Sequence, residues 1–329
     1  MAKNIEIIQY DGKYKEKWDE FIKKSANGTF LQSRLFLDYH PQGRFEDNSL
    51  LFMNGSNIIA MMPANLITGK EKILYSHQGS TFGGIILSKQ SMNIGYLDLI
   101  FKCLHDYLIE NHFDKIILKQ PGKIYTNEVS ELLDYYYFLN DYVSSLEVGY
   151  YIDYSKYNED VISNFSSSRR RDYRYSLKNE LSFSHLEAYD DIMCFYDILC
   201  DNYKKFDKKP VHSLDELIDF KFHRLPQNTD FYGVYLKDEM IAGGMIFKFA
   251  SQVFHTQYLA VRQDMTNIYA NEFLYTKLIE TAKEEGYRYM SFGTSTFDGG
   301  RVLNRKLAQY KEGYGTFEYV NRTYSKIIK

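Results

Sequence analysis

Residues 291–315 combine small polar side chains with a lysine that could act on a carbonyl group. The stretch SFGTSTFDGGRVLNRKLAQYKEGYG contains Ser295, a glycine pair, Asn304 and Lys311. It joins a predicted strand to a predicted helix over more residues than an ordinary connection needs, and the start of that helix offers amides to an anion. We predict that Ser295 and Asn304 bind substrate and that Lys311 stabilises the oxyanion of an acyl-transfer transition state. A solvent-exposed lysine that interacts with the helix dipole is the alternative.

The segment VFHTQYLAV (253–261) places polar side chains along a predicted strand. Alternation puts His255 and Gln257 on one face and Tyr258 on the other. A histidine beside a glutamine fits a cleft better than a core, and a histidine in a cleft can serve as a general base. We predict His255 as the base and Gln257 and Tyr258 as substrate contacts, with a hydrogen-bonded interior pair as the alternative.

A basic segment, SSSRRRDYRYSLKNE (166–180), has helical character. On a helix, Arg170, Arg174 and Lys178 fall four residues apart and share one face. Arginine binds phosphate oxygens through two N–H groups, so this face suits a phosphorylated ligand. We predict Arg170 and Arg174 as substrate-binding residues, and a solvated helix face is the alternative.

The glycines of SHQGSTFGGIIL (76–87) could allow the backbone to approach a ligand closely. A glycine-rich turn between two strands is also typical of an ordinary turn or bulge. The second interpretation is favoured because no other residue pattern supports the first.

Composition excludes several classes of protein. The 329 residues are 44% hydrophobic and 25% charged with a net charge of −3, so the protein as a whole is not a polyanion binder and no DNA partner is expected. Three cysteines in apolar helical patterns indicate buried thiols, and no metal-ligand spacing occurs. The N-terminus lacks the apolar run of a signal peptide, and no stretch is long enough for a membrane helix, which predicts a cytoplasmic protein without a transmembrane segment.

Hydrophobic periodicity predicts the elements of both halves of the chain. In the first half, the expected order is a strand at 4–9, helices at 13–24 and 34–40, a hairpin at 49–67 that turns at Asn54-Gly55, a strand pair within 72–87, a helix at 95–112 and a strand at 115–119. In the second half, the expected order is a hairpin at 231–249 that turns near Lys237-Asp238, a strand at 251–261, a helix at 271–286 and a strand at 287–293.

The same order of elements occurs twice, which indicates a duplicated domain. We predict an α/β (α+β) fold class with domains at 1–150 and 151–329, each a mixed central sheet flanked by helices. The second domain is expected to carry a helical insertion at 158–224, with helices near 158–179, 188–206 and 213–224. Ser213 and Glu216 form the capping-box pattern of the third helix.

Several motifs in this order resemble the FemAB-like branch of the GNAT acyltransferase superfamily, which often carries the label of a BioF2-like acetyltransferase domain. They are RRRDYRYSLKNE, HTQYLA, FLYTKLIETAKEEGYRYMSFGTST and LNRKLAQYKEGYG, and NGTFLQSRLFLDYH and YSHQGSTFGGII look like signatures of the first half. The resemblance implies tandem GNAT-like domains over nearly the whole chain. Lys311 matches the lysine of the family's closing pattern, which is thought to stabilise the oxyanion, and Arg170 and Arg174 match its basic helix.

The resemblance implies transfer of an acyl or aminoacyl group to an amine of a cell-envelope saccharide, lipid-linked sugar or muropeptide. It also implies that no cofactor is permanently bound and that acyl-CoA or aminoacyl-tRNA serves as co-substrate. The stretch RQDMTNIYANEF (262–273), which matches the pyrophosphate loop of GNAT proteins, contains no glycine. The alternative class is therefore an inactive GNAT-like protein that binds a phosphorylated glycan or a protein partner.

Overall fold

The computed structural model describes residues 5–128, 130–205, 207–250 and 252–328. The chain forms two compact units. Unit 1 comprises Met1–Glu147, Gly299–Arg301 and Val320–Lys329, and unit 2 comprises Val148–Asp298 and Val302–Tyr319. Each unit is a mixed α/β structure in which helices flank a sheet, as the sequence predicts.

The first thirteen strands and helices include the elements predicted for the first half, together with three that were not predicted. The thirteen are β1 (Glu6–Gln9), α1 (Lys15–Lys24), α2 (Arg34–Leu37), β2 (Glu46–Asp47), β3 (Leu50–Asn54), β4 (Asn57–Met62), β5 (Asn65–Ile67), β6 (Ile73–Ser76), β7 (Ile86–Leu87), α3 (Ile94–Glu110), β8 (Lys115–Gln120), α4 (Leu132–Leu139) and β9 (Val143–Asp153). The three that were not predicted are β2, α4 and β9. The β3–β4 hairpin turns at the predicted dipeptide, where Gly55 has φ +60.

The strands of unit 1 belong to two sheets. β1, β3, β4 and β7 form an antiparallel sheet, while β2, β5, β6 and β8 lie in the order β8-β6-β5-β2. β6 and β8 run parallel. The predicted strand pair within 72–87 is therefore wrong, because β6 and β7 pair with different neighbours. One core cluster joins both sheets to α3, whose buried side chains are Leu97, Ile100, Phe101, Leu104 and Leu108.

The remaining elements begin with the predicted insertion. They are α5 (Ser167–Ser176), β10 (Leu181–His185), α6 (Tyr189–Lys204), α7 (Leu214–Asp219), β11 (Thr229–Leu236), β12 (Glu239–Phe249), β13 (Val253–Val261), α8 (Ala270–Glu284), β14 (Tyr289–Thr294), β15 (Thr296–Phe297), β16 (Val302–Leu303), α9 (Arg305–Glu312) and β17 (Phe317–Ile327). β11 and β12 form the predicted hairpin, and Lys237 at its turn has φ +56.

The sheet of unit 2 has the order β10-β11-β12-β13-β14-β9. Its neighbouring strands are antiparallel except β13 and β14, which run parallel. α8 packs on this sheet through an apolar face that includes Leu274, Leu278 and Ile279 and contributes to a cluster with Phe254 and Met290. Burial of this face positions α8 beside the ends of β13 and β14.

The segment 158–224 is not only helical. β10 interrupts it and pairs antiparallel with β11, because Leu181 and Phe183 pack against the unit 2 core. The third predicted helix begins with the expected capping box, in which Ser213 and Glu216 each accept a backbone N–H from the other. The prediction that all three thiols are buried is wrong, because Cys194 is exposed and Cys103 and Cys200 are only partly buried.

Candidate active site

Lys311 lies near the C-terminus of α9 and is only 3% exposed. Its Nζ donates hydrogen bonds to the carbonyl oxygens of Gly293 at 3.0 Å and Thr294 at 2.8 Å. Burial lowers the pKa of this amine from its usual range to about 7. The alternative of a solvent-exposed lysine is therefore wrong, and the ammonium form has one of its three N–H donors left for a ligand.

Gly293 supplies one of the two carbonyl oxygens that accept hydrogen bonds from Lys311. Its φ is +68, a conformation that strongly favours glycine. A Cβ atom at this position would lie 3.6 Å from Cε1 of His255. The glycine thus places the imidazole ring beside the backbone to which Lys311 is bonded.

His255 lies on β13, as predicted, and its Nδ1 is 3.1 Å from Oγ of Ser291. Removal from water and, to a smaller extent, the positive charge of Lys311 together lower the pKa of the imidazole to about 3. His255 is consequently neutral at physiological pH. A neutral imidazole with so low a basicity is suited to hydrogen bonding rather than to holding a proton.

Two residues that sequence analysis missed extend this contact. Oγ of the buried Ser291 lies 3.2 Å from the hydroxyl of Tyr319 and accepts the backbone N–H of Gly293 at 3.2 Å. The ring of Tyr319 lies against Gly149, where a Cβ atom would be 2.4 Å from the ring. The only signal in the sequence is a polar serine within an otherwise apolar strand. We call Lys311, Gly293, His255, Ser291 and Tyr319 the Lys311 site.

The β13–β14 ladder ends inside the Lys311 site. The parallel strands pair from Val253↔Tyr289 to His255↔Ser291, and β13 then continues to Val261 paired with β12. Burial alternates along β13 as predicted, with Gln257 partly buried, although the register with β12 shifts at this residue. Where parallel strands separate, their backbone groups become available to a ligand.

Tyr258 is directed elsewhere. It is 6% exposed, and its hydroxyl lies 2.7 Å from Nδ1 of His212 in the interior of unit 2. The structure therefore brings His255 to Lys311 but engages Tyr258 in an internal contact.

Ser295 and Asn304 hold the loop that follows β14. Ser295 donates its backbone N–H to Val148 O at 2.8 Å, and its carbonyl accepts the backbone N–H of Asn304 at 2.8 Å. The Asn304 side chain caps α9 by accepting the N–H of Leu307. Oγ of Ser295 is buried and has no hydrogen-bond partner within the described ranges. An unpaired buried hydroxyl is costly, so this group is a candidate for contact with a ligand.

The basic helix is shorter than predicted. α5 ends at Ser176, so Lys178 is not on the predicted face. Arg170 donates to the carbonyl oxygens of Ser163 at 3.3 Å and Phe165 at 2.9 Å. Arg174 is exposed and, in the described part of the chain, makes no hydrogen bond or ion pair, so it can reach an anion in solvent.

Arg169, which sequence analysis passed over, joins three helices. It forms ion pairs with Glu272 at 2.8 Å and Asp172 at 3.2 Å, and its guanidinium lies 4.5 Å from the ring centre of Tyr310. The Tyr310 hydroxyl donates to Glu272 Oε1 at 3.2 Å. Because Tyr310 immediately precedes Lys311, this network fixes the helix that carries the lysine.

The glycine-free stretch forms a short 3-10 helix, Gln263–Ile268, ahead of α8. Tyr269 has φ +59 and does not cap the helix through its side chain. Glu272 lies in the first turn of α8, where an acidic side chain disfavours a phosphate. These features differ from a glycine-rich phosphate loop.

The corresponding end of the parallel pair in unit 1 is filled by its own chain. The β6–β8 ladder ends at Ser76↔Leu118, and Gly83 then donates its backbone N–H to Lys119 O at 2.7 Å. A Cβ atom at Gly83 would lie 2.2 Å from Ser76 O, and Gly84 has φ +76. The glycines of 76–87 therefore serve close backbone packing, in agreement with the favoured interpretation.

The described residues contain no group of three or more His, Cys, Asp or Glu side chains that could hold a metal ion. Among the helices of the described ranges, none combines the length and the apolar character needed to cross a bilayer.

A family model matches a segment of the second half of the chain. Residues 166–312 match the family model described as "Acetyltransferase (GNAT) domain". None of the curated protein sequences matches the chain. The second half of the chain therefore contains a GNAT domain, and the Lys311 site lies largely within it.

Solved structures extend the comparison to the whole chain. The chain is similar to FemX (10% identity, 98% of this chain and 97% of that chain, TM-score 0.69) and to L-PGS from Bacillus licheniformis (12%, 96% and 92%, 0.61). It is also similar to a tandem GNAT protein from the clavulanic acid biosynthesis pathway (7%, 99% and 99%, 0.56). Identities this low establish the fold alone. The fold is that of a tandem GNAT protein, as the resemblance implies.

Proposed function

We propose that this protein transfers an acyl or aminoacyl group to an amine of a cell-envelope saccharide or peptidoglycan precursor. The observation that carries the proposal is the buried Lys311, which two backbone carbonyls orient where the parallel strands separate. In the reaction, the acceptor nitrogen attacks the donor carbonyl carbon and forms a C–N bond. The C–S bond of a thioester or the C–O bond of an aminoacyl ester then breaks, and the leaving group takes up the proton lost by the amine.

Lys311 is the oxyanion-stabilising residue in this proposal. Its ammonium is already held by Gly293 and Thr294, so it need not reorganise when charge develops on the carbonyl oxygen. The low-dielectric surroundings that lower its pKa also strengthen its attraction to an oxyanion.

His255 is proposed to orient the acceptor amine rather than to act as the resident base. Its low pKa keeps the ring neutral, and its contact with Ser291 fixes the ring plane. Ser295, Gln257 and Asn304 are proposed to contact the substrate from the same strand ends. These roles follow from their positions and chemistry.

Arg174 is preferred over Arg170 as the residue that contacts phosphate. Arg174 is exposed, whereas Arg170 is bonded to backbone carbonyls. Such a contact suits a nucleotide-linked or lipid-pyrophosphate acceptor, or the backbone of a tRNA. Tyr258 is left out of the proposed site because its hydroxyl is engaged by His212.

The donor is proposed to be an aminoacyl-tRNA, with acyl-CoA as the alternative. The glycine-free stretch and Glu272 at the start of α8 disfavour a CoA pyrophosphate there. Similar folds occur in FemX and in the C-terminal domain of a putative lysylphosphatidylglycerol synthetase from Agrobacterium fabrum (TM-score 0.56, 10% identity). The name of the second protein describes aminoacyl transfer. The description of the tandem GNAT protein of the clavulanic acid pathway, by contrast, mentions AcCoA, although that structure is without it.

The test is a thermal-shift panel of CoA, acetyl-CoA, charged tRNA and a UDP-linked peptidoglycan precursor, followed by transfer assays with labelled donors. A ligand at 100 times its Kd adds about 2.7 kcal/mol to the free energy of unfolding. The proposal expects a shift with charged tRNA or the precursor, and labelled product whose rate of formation Lys311→Met lowers by about 10²–10³-fold. Lys204→Met, at a lysine with a 74% exposed side chain on α6, is the matched control. Binding without product from any donor would contradict the proposed activity and support the inactive binding protein.

A further inference from the structure

A short hairpin leads from the Lys311 site to the protein surface. β15 and β16 pair through Thr296↔Leu303 and Phe297↔Val302. At the base of the hairpin, Ser295 is 1% exposed and is tied to Asn304 by the backbone hydrogen bond described above. Exposure then rises along both strands away from this base. At the turn, Gly300 is half-buried and lies so close to Leu146 O that a Cβ atom would be 1.7 Å from it, so the most exposed side chains of the hairpin are those of its two strands.

The two strands expose three large apolar side chains. Phe297 is 59% exposed, Val302 51% and Leu303 40%. Phe297 and Val302 are directly opposed and share one face of the hairpin, whereas Leu303 belongs to the other face. A rigid partner that covered one face would leave the other in water. A hydrocarbon layer that the hairpin enters would cover both.

Basic side chains accompany the apolar ones. Within 296–306, Arg301, Arg305 and Lys306 outnumber the single acid Asp298, whereas the whole chain has a net charge of −3. Arg305 and Lys306 are exposed in the first turn of α9, immediately after β16. Positive charge at a helix N-terminus does not stabilise the helix. It does suit an acidic surface, because basic residues beside an apolar segment bind anionic headgroups.

We propose that the hairpin and the start of α9 bind the surface of an anionic lipid bilayer. Phe297, Val302 and Leu303 enter the boundary between headgroups and acyl chains, and Arg305 and Lys306 contact acidic headgroups. RNA is another polyanion that basic and aromatic side chains bind, through base stacking. Val302 and Leu303 have no ring to stack on a base, so the composition favours lipid.

This binding goes beyond the proposed reaction and requires no turnover. A consequence that does rest on the proposed function is the choice of acceptor. Since Ser295 joins the hairpin directly to the strand that bonds Lys311, a docked hairpin would place the Lys311 site near the membrane surface. Acceptors that carry a lipid chain would then be favoured over water-soluble ones.

Vesicle co-sedimentation of the full chain tests the proposal. Wild-type protein is compared on phosphatidylcholine vesicles and on vesicles that also contain phosphatidylglycerol, at low and high salt. Two variants change the surface: Phe297→Ser/Val302→Ser/Leu303→Ser removes its apolar part, and Arg305→Gln/Lys306→Gln removes its charge. Val211→Ser is the matched control, because Val211 is 68% exposed in the segment before α7.

The proposal expects binding to the anionic vesicles that weakens with salt. The double Gln variant should lose about 30-fold in partition coefficient on anionic vesicles, since each basic residue contributes about fivefold. The triple Ser variant should lose at least about tenfold on the same vesicles through its lost apolar area. Val211→Ser should bind as the wild type does. All substituted side chains are largely exposed, so thermal melting should be unchanged.

Three results would overturn the proposal. One is the absence of wild-type binding to anionic vesicles, and another is wild-type binding by the triple Ser variant. The third is binding to deacylated tRNA that only the double Gln variant loses, without binding to vesicles, which would assign the surface to RNA. Product formation measured in parallel with a water-soluble acceptor shows separately whether the proposed reaction fails.

Discussion

Nζ of Lys311 lies 3.0 Å from the carbonyl oxygen of Gly293, and this glycine faces Cε1 of His255. The amine and the imidazole therefore meet across one backbone residue that adopts a positive φ. Their proximity explains why the charge of Lys311 helps to lower the pKa of His255. One group can carry positive charge near pH 7 while the other stays neutral.

Loss of the Lys311 ammonium should slow the chemical step. Lys311→Met keeps much of the volume of the side chain and removes its charge, so turnover should fall by about 10²–10³-fold, as for loss of one oxyanion donor. Donor and acceptor affinities should change little, because the interaction forms in the transition state. Single-turnover rates and binding titrations separate the two effects. Turnover within twofold of the wild type would contradict the assigned role.

The pH dependence should distinguish an oxyanion donor from a base at Lys311. Its pKa is lowered to about 7, so the protonated form predominates below pH 7 and is lost as the pH rises through that value. If the ammonium stabilises the oxyanion, kcat should fall on the alkaline side with an apparent pKa near 7. In Lys311→Arg the fall in kcat on the alkaline side should disappear, since a guanidinium stays protonated. A rate that rises with pH through 7 would instead indicate that the neutral amine accepts a proton.

Sequence periodicity anticipated the local features of the fold. Both hairpin turns, the capping box at Ser213 and the alternation around His255 depend on neighbouring residues, and the structure has them as predicted. The chemistry of Lys311 was inferred from its loop and from resemblance. The burial of Lys311 was not predicted, because it arises from the packing of α9 against the rest of unit 2.

The features that were missed depend on residues far apart in the chain. Ser291 meets Tyr319 only because β14 and the last strand fold together, and no local pattern encodes this contact. Arg169 was passed over for Arg170 and Arg174 because a basic run does not reveal which arginine faces the acidic Glu272. Lys178 was included because the predicted helix extended beyond Ser176, where α5 ends.

The close contact between Gly149 and Tyr319 predicts that Gly149→Ala perturbs the Lys311 site. A new Cβ atom would lie 2.4 Å from the tyrosine ring, so the ring must move and weaken its contact with Ser291. We expect a loss of about 1–3 kcal/mol in the free energy of unfolding, typical of overpacking, together with a lower kcat. Urea denaturation and turnover measure these effects. Gly69→Ala, where no atom lies within 4 Å of the new Cβ, is the control and should change neither quantity.

Asp230 should be the carboxylate on which unit 2 depends most for stability. It is 6% exposed and bonded to Lys221 at 3.1 Å, His185 at 3.2 Å and Lys248, contacts that hold its pKa well below the usual range despite burial. A lowered pKa means that the folded state binds fewer protons than the unfolded state, so the stabilisation is present above the ordinary carboxyl pKa of about 4 and is lost as the pH falls below it. Asp230→Asn leaves two partly buried ammonium groups without a counter-charge and should cost at most about 3–5 kcal/mol at pH 7. Its urea midpoint should converge with that of the wild type as the pH is lowered.

Asp201→Asn, at an exposed pair with Lys204, is the control and should leave the urea midpoint nearly unchanged. Equal midpoints of wild type and Asp230→Asn at pH 7 would show that the cluster contributes no net stability.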